Sequence, residues 1–325
     1  MMKAIVYDAP GDATVLHIEE RPIPNCKANE VLIKVVGAGI NRPDIFQRIG
    51  RYPAPHGVVQ DIPGLEVAGI IEQVGKDVKH QYVGQQVCAL VPGGGYAEYV
   101  AVDAGSCLPK PSGISLEDAA ALPETLFTVW HNIFQRGKLK PGEDVFIYGG
   151  SGGIGSMAIQ LVNLYGSRAY TMASSIEKEL YCISLGAIRV VKQEKCNILE
   201  VLGENSMDVV LDSVGGEYLD VNLNLLRTEG RLIYINAMNG NHPSLNIMKV
   251  MQKRLHITGS TLRNRSYSFK KELAEDIIQN AYPLIESPQF KSLVNYTFPM
   301  EKVVEAHQLM ESREFTGKII LLFNQ

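Results

Sequence analysis

The sequence predicts an α/β protein with a doubly wound parallel sheet and a second, mostly β domain. Three observations lead to this fold class. Short apolar strands alternate with helices between residues 144 and 260, a glycine-rich turn follows the first of these strands, and the first 120 residues form short β-rich runs separated by Gly, Pro, Asn and Asp. The length of 325 residues also favours two domains, because single hydrophobic cores rarely grow so large.

The N-terminal region has little helical periodicity. Its strand-like runs cover residues 4–7, 31–36, 67–74, 86–90 and 97–102. The first clear helix begins after Ser115, which suits the N-cap position and is followed by acidic residues in the first turn. We therefore predict a mostly β domain over residues 1–121.

Strands and helices alternate in the central region. Strands are predicted at residues 145–148, 168–172, 189–191, 207–211, 231–235 and 256–260, and helices at 157–165, 177–185 and 217–226. Six strands with intervening helices are typical of a complete Rossmann sheet. The segment beyond residue 260, with two more helices and a final strand, is expected to pack on the N-terminal domain. The predicted domains are therefore 122–263, and 1–121 with 264–325.

A turn with five glycines in seven residues joins the first of these strands to its helix. It contains Gly149-x-x-Gly152-x-x-Gly155 and the more usual dinucleotide fingerprint Gly150-x-Gly152-x-x-Gly155. Glycine lets the backbone approach a bulky anion, and the N-terminus of the next helix offers free N–H groups to a pyrophosphate. The turn therefore predicts dinucleotide binding.

The same turn also matches a hydrolase motif. The segment Gly149-Gly-Ser-Gly-Gly153 fits the GxSxG nucleophile elbow, which needs an acid and a histidine later in the chain. Asp212 could serve as the acid, with His242, His256 or His307 as the base. Gly155 is required by a dinucleotide turn and not by an elbow, so the hydrolase interpretation is the weaker one.

The residues after the second strand of the alternating region indicate which dinucleotide binds. NAD sites usually carry an acid there, whereas this chain has Ser174 and Ser175, followed by Lys178. Hydroxyl groups and an ammonium suit a 2′-phosphate, which favours NADPH over NADH. Ser175 also suits the N-cap of the next helix, and the two roles are compatible.

The composition of the chain argues against several classes of binding partner. The chain has 31 basic and 35 acidic residues and a net charge of −4, so no nucleic-acid partner is expected. It lacks an apolar run of the roughly 20 residues that cross a bilayer, and its N-terminus does not resemble a signal peptide, so we expect no membrane association and a cytoplasmic location. The five cysteines have no CxxC spacing, which argues against disulfides and a structural zinc lobe.

Motifs along the whole chain resemble one family. They are Ala38-Gly-Ile-Asn-Arg-Pro-Asp44, Pro63-Gly-Leu-Glu-Val-Ala-Gly69, Pro92-Gly-Gly-Gly-Tyr-Ala-Glu-Tyr99, the turn 149–155, Ser174-Ser-Ile-Glu-Lys178, Leu185-Gly-Ala187, Asp212-Ser-Val-Gly-Gly216, Gly259-Ser-Thr-Leu-Arg263 and Gly317-Lys-Ile-Ile-Leu321. With them the sequence resembles the quinone oxidoreductases related to zeta-crystallin, in the medium-chain dehydrogenase/reductase superfamily. The resemblance implies a GroES-like fold for the mostly β domain.

The resemblance also implies chemistry without zinc. Zinc-containing members carry a cysteine where this chain has Asn41 and a histidine where it has Leu65, and their four-cysteine lobe is missing here. Zinc sites need about four nitrogen or sulfur ligands, so we expect no metal. Glu66, beside the vacated position, can be interpreted as a paired structural acid.

The resemblance assigns roles to individual residues. Asn41 and Tyr52 would face the nicotinamide and the substrate, although Asn41 also suits a turn and Tyr52 could serve packing alone. Gln193 stands where relatives place a tyrosine over the 2′-phosphate, and it could still donate a hydrogen bond. The remaining cofactor contacts would come from Thr128, Ser151, Gly152, Gly153, Ile154, Ser174, Ser175, Lys178, Val214, Ala237, Met238, Ser260 and Leu262.

The expected reaction is hydride transfer from the nicotinamide C4 of NADPH to a small electrophile, a quinone, with Tyr52 or Asn41 polarising the acceptor oxygen. An NADPH-dependent 2-alkenal or enoyl reductase acting on an enone C=C bond is the alternative. A third hypothesis is a crystallin-like protein that binds NADPH without catalysis. A homodimer formed through the edge strand at 256–260 is also expected.

Overall fold

The computed structural model describes residues 1–193 and 198–323. Its strands are β1 (Met2–Val6), β2 (His17–Arg21), β3 (Glu30–Gly39), β4 (Glu66–Val74), β5 (Gln86–Leu90), β6 (Tyr99–Asp103), β7 (Cys107–Pro109), β8 (Asp144–Ile147), β9 (Arg168–Ala173), β10 (Arg189–Lys192), β11 (Met207–Asp212), β12 (Leu226–Tyr234), β13 (His256–Gly259), β14 (Val294–Pro299) and β15 (Lys318–Leu322).

Most helices are short, and two are extended by π-helical turns. The helices are α1 (Arg42–Arg48), α2 (Leu116–Ala119), α3 (Pro123–Val129), α4 (Gly153–Leu164), α5 (Ile176–Ser184), α6 (Ile198–Leu202), α7 (Tyr218–Leu225), α8 (Ile247–Lys253), α9 (Tyr267–Asp276), α10 (Tyr282–Ile285) and α11 (Val303–Ser312). The π-helical turns are Trp130–Arg136, after α3, and Ile277–Ala281, between α9 and α10.

The chain divides into two units. The first, which we call the β unit, comprises Met1–Phe127, Arg263–Glu286 and Ser292–Gln325, and the second, the nucleotide unit, comprises Thr128–Leu262 and Ser287–Lys291. The nucleotide unit begins at Thr128 rather than at residue 122 as predicted. The reason is that helix α3 starts inside the β unit, where the Glu124 backbone N–H donates to the Glu66 carboxylate at 2.9 Å.

The nucleotide unit contains the predicted Rossmann sheet. Its six strands pair in the order β10-β9-β8-β11-β12-β13, and every pairing is parallel. Numbered from β8, this is the order 3-2-1-4-5-6 of a complete dinucleotide-binding fold, so the predicted fold class is confirmed. The central strand β8 is buried at every position, which explains its apolar composition. Within the described residues no helix is long and apolar enough to cross a membrane.

The β unit is built on a mixed sheet that includes the C-terminal strand. The strand order is β14-β15-β3-β4-β5-β7, with β6 also paired to β3, while β1 and β2 form a separate antiparallel pair. Strand β15 runs antiparallel to β3, which places the C-terminal segment beside the N-terminal motifs. Strands β2 and β14 were not predicted. The sequence of β2, HIEER, is mostly polar, whereas β14, VNYTFP, alternates apolar and polar residues, a strand pattern that the sequence analysis missed.

A buried polar cluster ties helix α11 to helix α1 in the β unit. Arg48 is fully buried, and its Nη1 donates to Nδ1 of His307 at 3.2 Å, while Nη2 donates to Glu311 at 2.5 Å. Burial, together with the Arg48 charge, lowers the pKa of His307 from 6.5 to about 3. His307 is therefore neutral in the folded protein at neutral and mildly acidic pH.

The depressed pKa of His307 predicts a loss of stability on mild acidification. Below pH 6.5 His307 binds a proton in the unfolded chain but not in the folded chain. The free energy of unfolding therefore decreases as the pH falls toward 3, by up to about 1.4 kcal/mol per pH unit. His307→Asn keeps an acceptor for Arg48 without titrating. Denaturant unfolding at pH 7.5, 6.5 and 5.5 should show a steeper decline for the wild-type protein than for this variant. Parallel declines would contradict the prediction.

Candidate active site

The carboxyl ends of the six parallel strands lie along one edge of the Rossmann sheet, and the predicted cofactor residues follow them. The glycine turn comes after β8, and each of the other strands is followed by one or two of these residues: Ser174, Ser175, Gln193, Val214, Ala237, Met238 and Ser260. In open α/β sheets this is the edge at which ligands bind. The sheet therefore gathers residues that are up to 109 positions apart in sequence, from Ser151 to Ser260.

Two glycines of the turn, Gly155 and Gly152, have different surroundings in the structure. A Cβ on Gly155 would lie 2.3 Å from the Gly149 carbonyl oxygen and 2.5 Å from the Gly150 Cα, so this glycine is required for helix α4 to pack on the turn. Gly152 has an extended backbone, with φ −84° and ψ 173°, and its Cβ would come no closer than 3.7 Å to any protein atom. The protein does not require glycine at 152, whereas a ligand lying against the backbone would.

The residues of the turn present their backbone to solvent at the N-terminus of α4. Gly152 is the N-cap, and Ser151, Gly152, Gly153 and Ile154 are all half-buried. The helix they begin has twelve residues, and its first N–H groups have no partner within the helix. This arrangement fits a pyrophosphate, which such N–H groups and the positive end of the helix dipole stabilise.

The acid proposed for a hydrolase triad has a structural role instead. Oδ1 of Asp212 accepts hydrogen bonds from the backbone N–H groups of Val214 and Gly215, at 2.6 and 2.9 Å, and Oδ2 accepts from the Asn222 side chain at 2.8 Å. Asp212 thus shapes the loop after β11. His256 pairs at 3.8 Å with Glu229 on the neighbouring strand, and His307 is bonded to Arg48. These contacts do not support the GxSxG interpretation.

The residues predicted to hold a 2′-phosphate lie together after β9. Oγ of Ser175 accepts a hydrogen bond from the Lys178 backbone N–H at 3.3 Å, which confirms Ser175 as the N-cap of α5. The Lys178 ammonium donates to Oγ of Ser174 at 3.3 Å. Gln193 is exposed, and its backbone N–H donates to the Ala173 carbonyl at 3.0 Å, which places it beside Ser174. An ammonium, a hydroxyl and an amide therefore share one surface corner.

A buried asparagine that the sequence did not single out connects two predicted cofactor residues. Oγ of Ser260 donates to Oδ1 of Asn132 at 2.8 Å, and Nδ2 of Asn132 donates to the Thr128 carbonyl at 2.8 Å. Asn132 lies in the π-helical turn after α3, and such turns are frequent at functional sites. Asn132 therefore fixes the end of β13 relative to Thr128. Leu262, two residues beyond Ser260, is buried.

In the β unit, the predicted site residue Asn41 belongs to a buried polar network with Glu66 and Lys318, both at most 2% exposed. The Lys318 ammonium pairs with Oε1 of Glu66 and donates to Oδ1 of Asn41 at 2.7 Å, while Nδ2 of Asn41 donates to Glu66 at 2.8 Å. The interpretation of Glu66 as a paired structural acid is confirmed. Asn41 was expected to face the substrate, but both ends of its amide are engaged inside this network.

Tyr52 is half-buried and lies against an arginine from the segment that follows β13. The Arg263 guanidinium lies 5.1 Å from the centroid of the Tyr52 ring, and its Nη1 donates to the Tyr52 carbonyl at 3.2 Å. Burial raises the pKa of the Tyr52 hydroxyl above its usual value, and Arg263 opposes this shift. Tyr52 therefore stays protonated near neutral pH and can donate a hydrogen bond.

Two further acids lie in the β unit near these residues. Asp44 is fully buried and accepts hydrogen bonds from the Asn41 backbone at 2.7 Å and from the Tyr96 hydroxyl at 3.1 Å. Its burial raises its pKa to about 6. Glu124 is half-buried at the start of α3, and burial together with the neighbouring Glu66 raises its pKa to about 7. Sequence analysis missed Lys318 as part of the network, although the motif Gly317-Lys-Ile-Ile-Leu321 contains it.

Among the described residues, one group of three side chains could converge on a metal ion. It consists of Asp8, His17 and Glu19, which lie at the surface near the β1–β2 pair. Exposed acidic groups of this kind are common without a metal.

Comparison with known proteins identifies the family. A model described as the alcohol dehydrogenase GroES-like domain matches residues 27–112, and one described as zinc-binding dehydrogenase matches residues 185–321. The quinone oxidoreductase of Sus scrofa is 30% identical over 99% of this chain and 98% of its own length. The chain belongs to the quinone oxidoreductase family of the medium-chain dehydrogenase/reductase superfamily. The family resemblance of the sequence motifs is thereby confirmed, and the β unit carries the family's GroES-like domain.

Two further similar proteins carry different names. The chloroplastic NADPH-dependent alkenal/one oxidoreductase of Arabidopsis thaliana is 29% identical over 98% of this chain and 79% of its own length. A mycobacterial protein solved in complex with NADPH superposes with a TM-score of 0.86 at 26% identity, covering 99% of this chain and 100% of its own. Family membership thus establishes that the chain is an oxidoreductase. It does not identify the electron acceptor, because the similar proteins are named for different acceptors.

Proposed function

We propose that this protein is a zinc-independent, NADPH-dependent quinone oxidoreductase. The observation that carries the proposal is the glycine turn at the ligand-binding edge of the Rossmann sheet. A Cβ added at Gly152 would have free space around it, whereas one added at Gly155 would collide with the backbone of the turn. The full-length similarity to a quinone oxidoreductase supports the choice of acceptor, and the mycobacterial relative supports NADPH.

The nucleotide unit would hold the cofactor through residues of its strand ends. Residues 151–154 would bind the pyrophosphate, and Ser174, Lys178 and Gln193 the 2′-phosphate. Thr128, Val214, Ala237, Met238, Ser260 and Leu262 would line the adenosine and nicotinamide portions. When bound, NADPH supplies a hydride from its nicotinamide C4. The protein contributes by orienting the reactants and by presenting hydrogen-bond donors to the acceptor.

The charge of Lys318 supports chemistry without zinc. Its ammonium pairs with Glu66 and donates to Asn41, the residue that stands where zinc-containing members have a cysteine. A divalent cation beside a buried ammonium would be repelled, because like charges in a medium of low dielectric interact strongly. Since the Asn41 amide is engaged, we assign the polarisation of the acceptor oxygen to Tyr52.

A panel of acceptors tests the proposed function. Purified protein, treated with chelator and assayed by the loss of NADPH absorbance, should reduce 1,2- and 1,4-quinones and keep its rate after chelation. Preference for 2-alkenals over quinones would favour the second candidate, an alkenal or enoyl reductase, which the Arabidopsis relative supports. NADPH binding without turnover of any acceptor would instead favour the crystallin-like hypothesis.

The surface corner after β9 predicts the cofactor preference. Replacement of Lys178 by alanine removes a charged donor, and one charge-assisted hydrogen bond contributes about 1.5–3 kcal/mol, so we expect about 10- to 100-fold weaker NADPH binding. NADH lacks the 2′-phosphate, so its affinity should change less than about twofold. Titration calorimetry with both cofactors measures this, and Lys79→Ala, on the exposed surface of the β unit, controls for net charge. Equal losses for both cofactors would disprove a role in 2′-phosphate recognition.

The exposed end of the Rossmann sheet supports a homodimer. Strand β13 is the sheet's edge, and helix α8 before it buries none of its residues, with Ile247, Met248 and Met251 between 59 and 64% exposed. An unpaired edge can pair with another chain, and an exposed apolar surface of this kind often marks an interaction site.

Light scattering after size exclusion should give twice the chain mass of 35.8 kDa. Met248→Glu with Met251→Glu should shift the protein to monomer, because burying two carboxylates costs several kcal/mol. Leu180→Glu, at an equally exposed position on α5, should leave the dimer intact. A wild-type monomer would refute the dimer. A cytoplasmic location stays a prediction.

A further inference from the structure

Asn132 is a buried residue of the nucleotide unit, and both ends of its side-chain amide are engaged. It lies in the π-helical turn after α3 and is 1% exposed. Its Nδ2 donates to the Thr128 carbonyl at 2.8 Å, and its Oδ1 accepts from Oγ of Ser260 at 2.8 Å. All three residues belong to the nucleotide unit, so the arrangement lies within one compact part of the chain.

The Thr128 carbonyl decides which way the Asn132 amide is turned. A backbone carbonyl oxygen only accepts hydrogen bonds, so the amide atom that faces it must be the nitrogen. The amide oxygen therefore faces Ser260, and this oxygen also only accepts. Ser260 has a single hydroxyl proton, which it uses in the bond to Asn132. The lone pairs of the Ser260 oxygen stay available, so this hydroxyl acts on a ligand as an acceptor and not as a donor.

Ser260 lies in the half of the Rossmann sheet that suits the nicotinamide. It follows β13 directly and is half-buried, and its backbone N–H donates at 3.1 Å to the carbonyl of Tyr234, the last residue of β12. A complete Rossmann sheet consists of two mononucleotide-binding halves. The surface corner that suits the 2′-phosphate follows β9 in one half, which assigns the nicotinamide to the half formed by β11, β12 and β13.

We propose that Asn132 is a positioning residue that makes Ser260 a selective acceptor for the amino group of the nicotinamide carboxamide. This inference rests on the cofactor assigned in the proposed function. A carboxamide has a donor end, –NH2, and an acceptor end, the carbonyl oxygen. Only the donor end matches an oxygen whose own proton is bound to Asn132. Ser260 thus selects one of the two orientations of the carboxamide and helps to orient the nicotinamide ring for hydride transfer.

Two analogues of NADP⁺ that differ from it only at the carboxamide test the inference by binding, without turnover. The acetylpyridine analogue keeps the carbonyl oxygen and has a methyl group in place of –NH2, whereas the thionicotinamide analogue keeps –NH2 and has sulfur in place of the oxygen. In titration calorimetry the wild-type protein should bind the acetylpyridine analogue about 10-fold more weakly than NADP⁺, because the Ser260 oxygen loses its donor. The thionicotinamide analogue should bind within about threefold of NADP⁺. The opposite order would show that Ser260 donates to the carbonyl oxygen, and it would overturn the inference.

Two variants of Asn132 separate the hydrogen-bonding direction of Ser260 from the packing of the helix. Asn132→Asp keeps an oxygen that accepts from Ser260, so it should retain the preference of about 10-fold for NADP⁺ over the acetylpyridine analogue. Asn132→Leu frees the Ser260 proton to bond to an acetyl oxygen, so the preference should fall to about twofold or less. Ser260→Ala should also abolish the preference, because NADP⁺ binding weakens about 10-fold while binding of the acetylpyridine analogue hardly changes.

Ser167→Ala is the matched control. Ser167 precedes β9, at the opposite edge of the sheet, and its Oγ donates to the Lys140 carbonyl at 2.8 Å, so this variant should leave all three affinities unchanged. Equal binding of NADP⁺ and the acetylpyridine analogue by the wild-type protein, or an unchanged preference in Asn132→Leu, would overturn the inference and leave the proposed function standing. The expected preferences in a protein that reduces no acceptor would refute the proposed function alone, and a protein that binds no NADP⁺ would refute both.

Discussion

Gly152→Ala is expected to fold with nearly wild-type stability and to lose about 100-fold in affinity for NADPH, which corresponds to roughly 2.7 kcal/mol. The backbone of Gly152 is extended, a conformation that alanine adopts freely, and the added Cβ would meet no protein atom closer than 3.7 Å. The cost to folding should stay below about 1 kcal/mol, the difference between glycine and alanine at an N-cap. The methyl group would instead occupy the space that the pyrophosphate needs against the N-terminus of α4.

Gly155→Ala provides the matched contrast. Its Cβ would lie 2.3 Å from a carbonyl oxygen of the same turn, so the backbone must move and the protein should lose about 2–3 kcal/mol of stability. Differential scanning fluorimetry measures stability, and quenching of Trp130 fluorescence or calorimetry measures NADPH affinity. If Gly152→Ala binds NADPH as the wild-type protein does, the turn is not where the cofactor lies.

Lys318→Met is expected to lower the free energy of unfolding of the protein by about 3–5 kcal/mol. The variant removes the cation from a completely buried carboxylate, Glu66, and leaves Oδ1 of Asn41 without its donor. An unpaired charge in the protein interior costs several kcal/mol because neither water nor a counter-ion stabilises it. The effect should exceed that of any surface substitution.

The double variant Lys318→Met with Glu66→Gln separates charge from packing. It removes both charges, so it should recover more than half of the stability lost by Lys318→Met. Lys302→Met is the control, since Lys302 pairs at 3.4 Å with Glu305 on the exposed surface, where an ion pair contributes less than about 1 kcal/mol. Denaturant titrations of the four proteins measure these differences. Equal effects of Lys318→Met and Lys302→Met would show that the buried pair contributes no more than a surface one.

The elements with strong local patterns were predictable from the sequence. All six Rossmann strands lie where the apolar runs predict them, and Ser115 and Ser175 are the N-caps of their helices. These features follow from neighbouring residues, because hydrophobic periodicity and capping act over a few positions. The short polar strand β2 and the π-helical turn around Asn132 had no such local pattern, since each depends on contacts with distant parts of its unit.

The sequence by itself determined the fold class, the dinucleotide turn and the absence of an acid after β9. Its resemblance to the family implied that Asn41 and Leu65 stand at two zinc-ligand positions of other members. The tertiary structure decided what the polar residues of the β unit do. It joined Lys318 to Asn41 and Glu66, across 277 and 252 positions of chain. The physical reason is that the charge state and partners of a buried group depend on which distant residues the folded chain brings beside it.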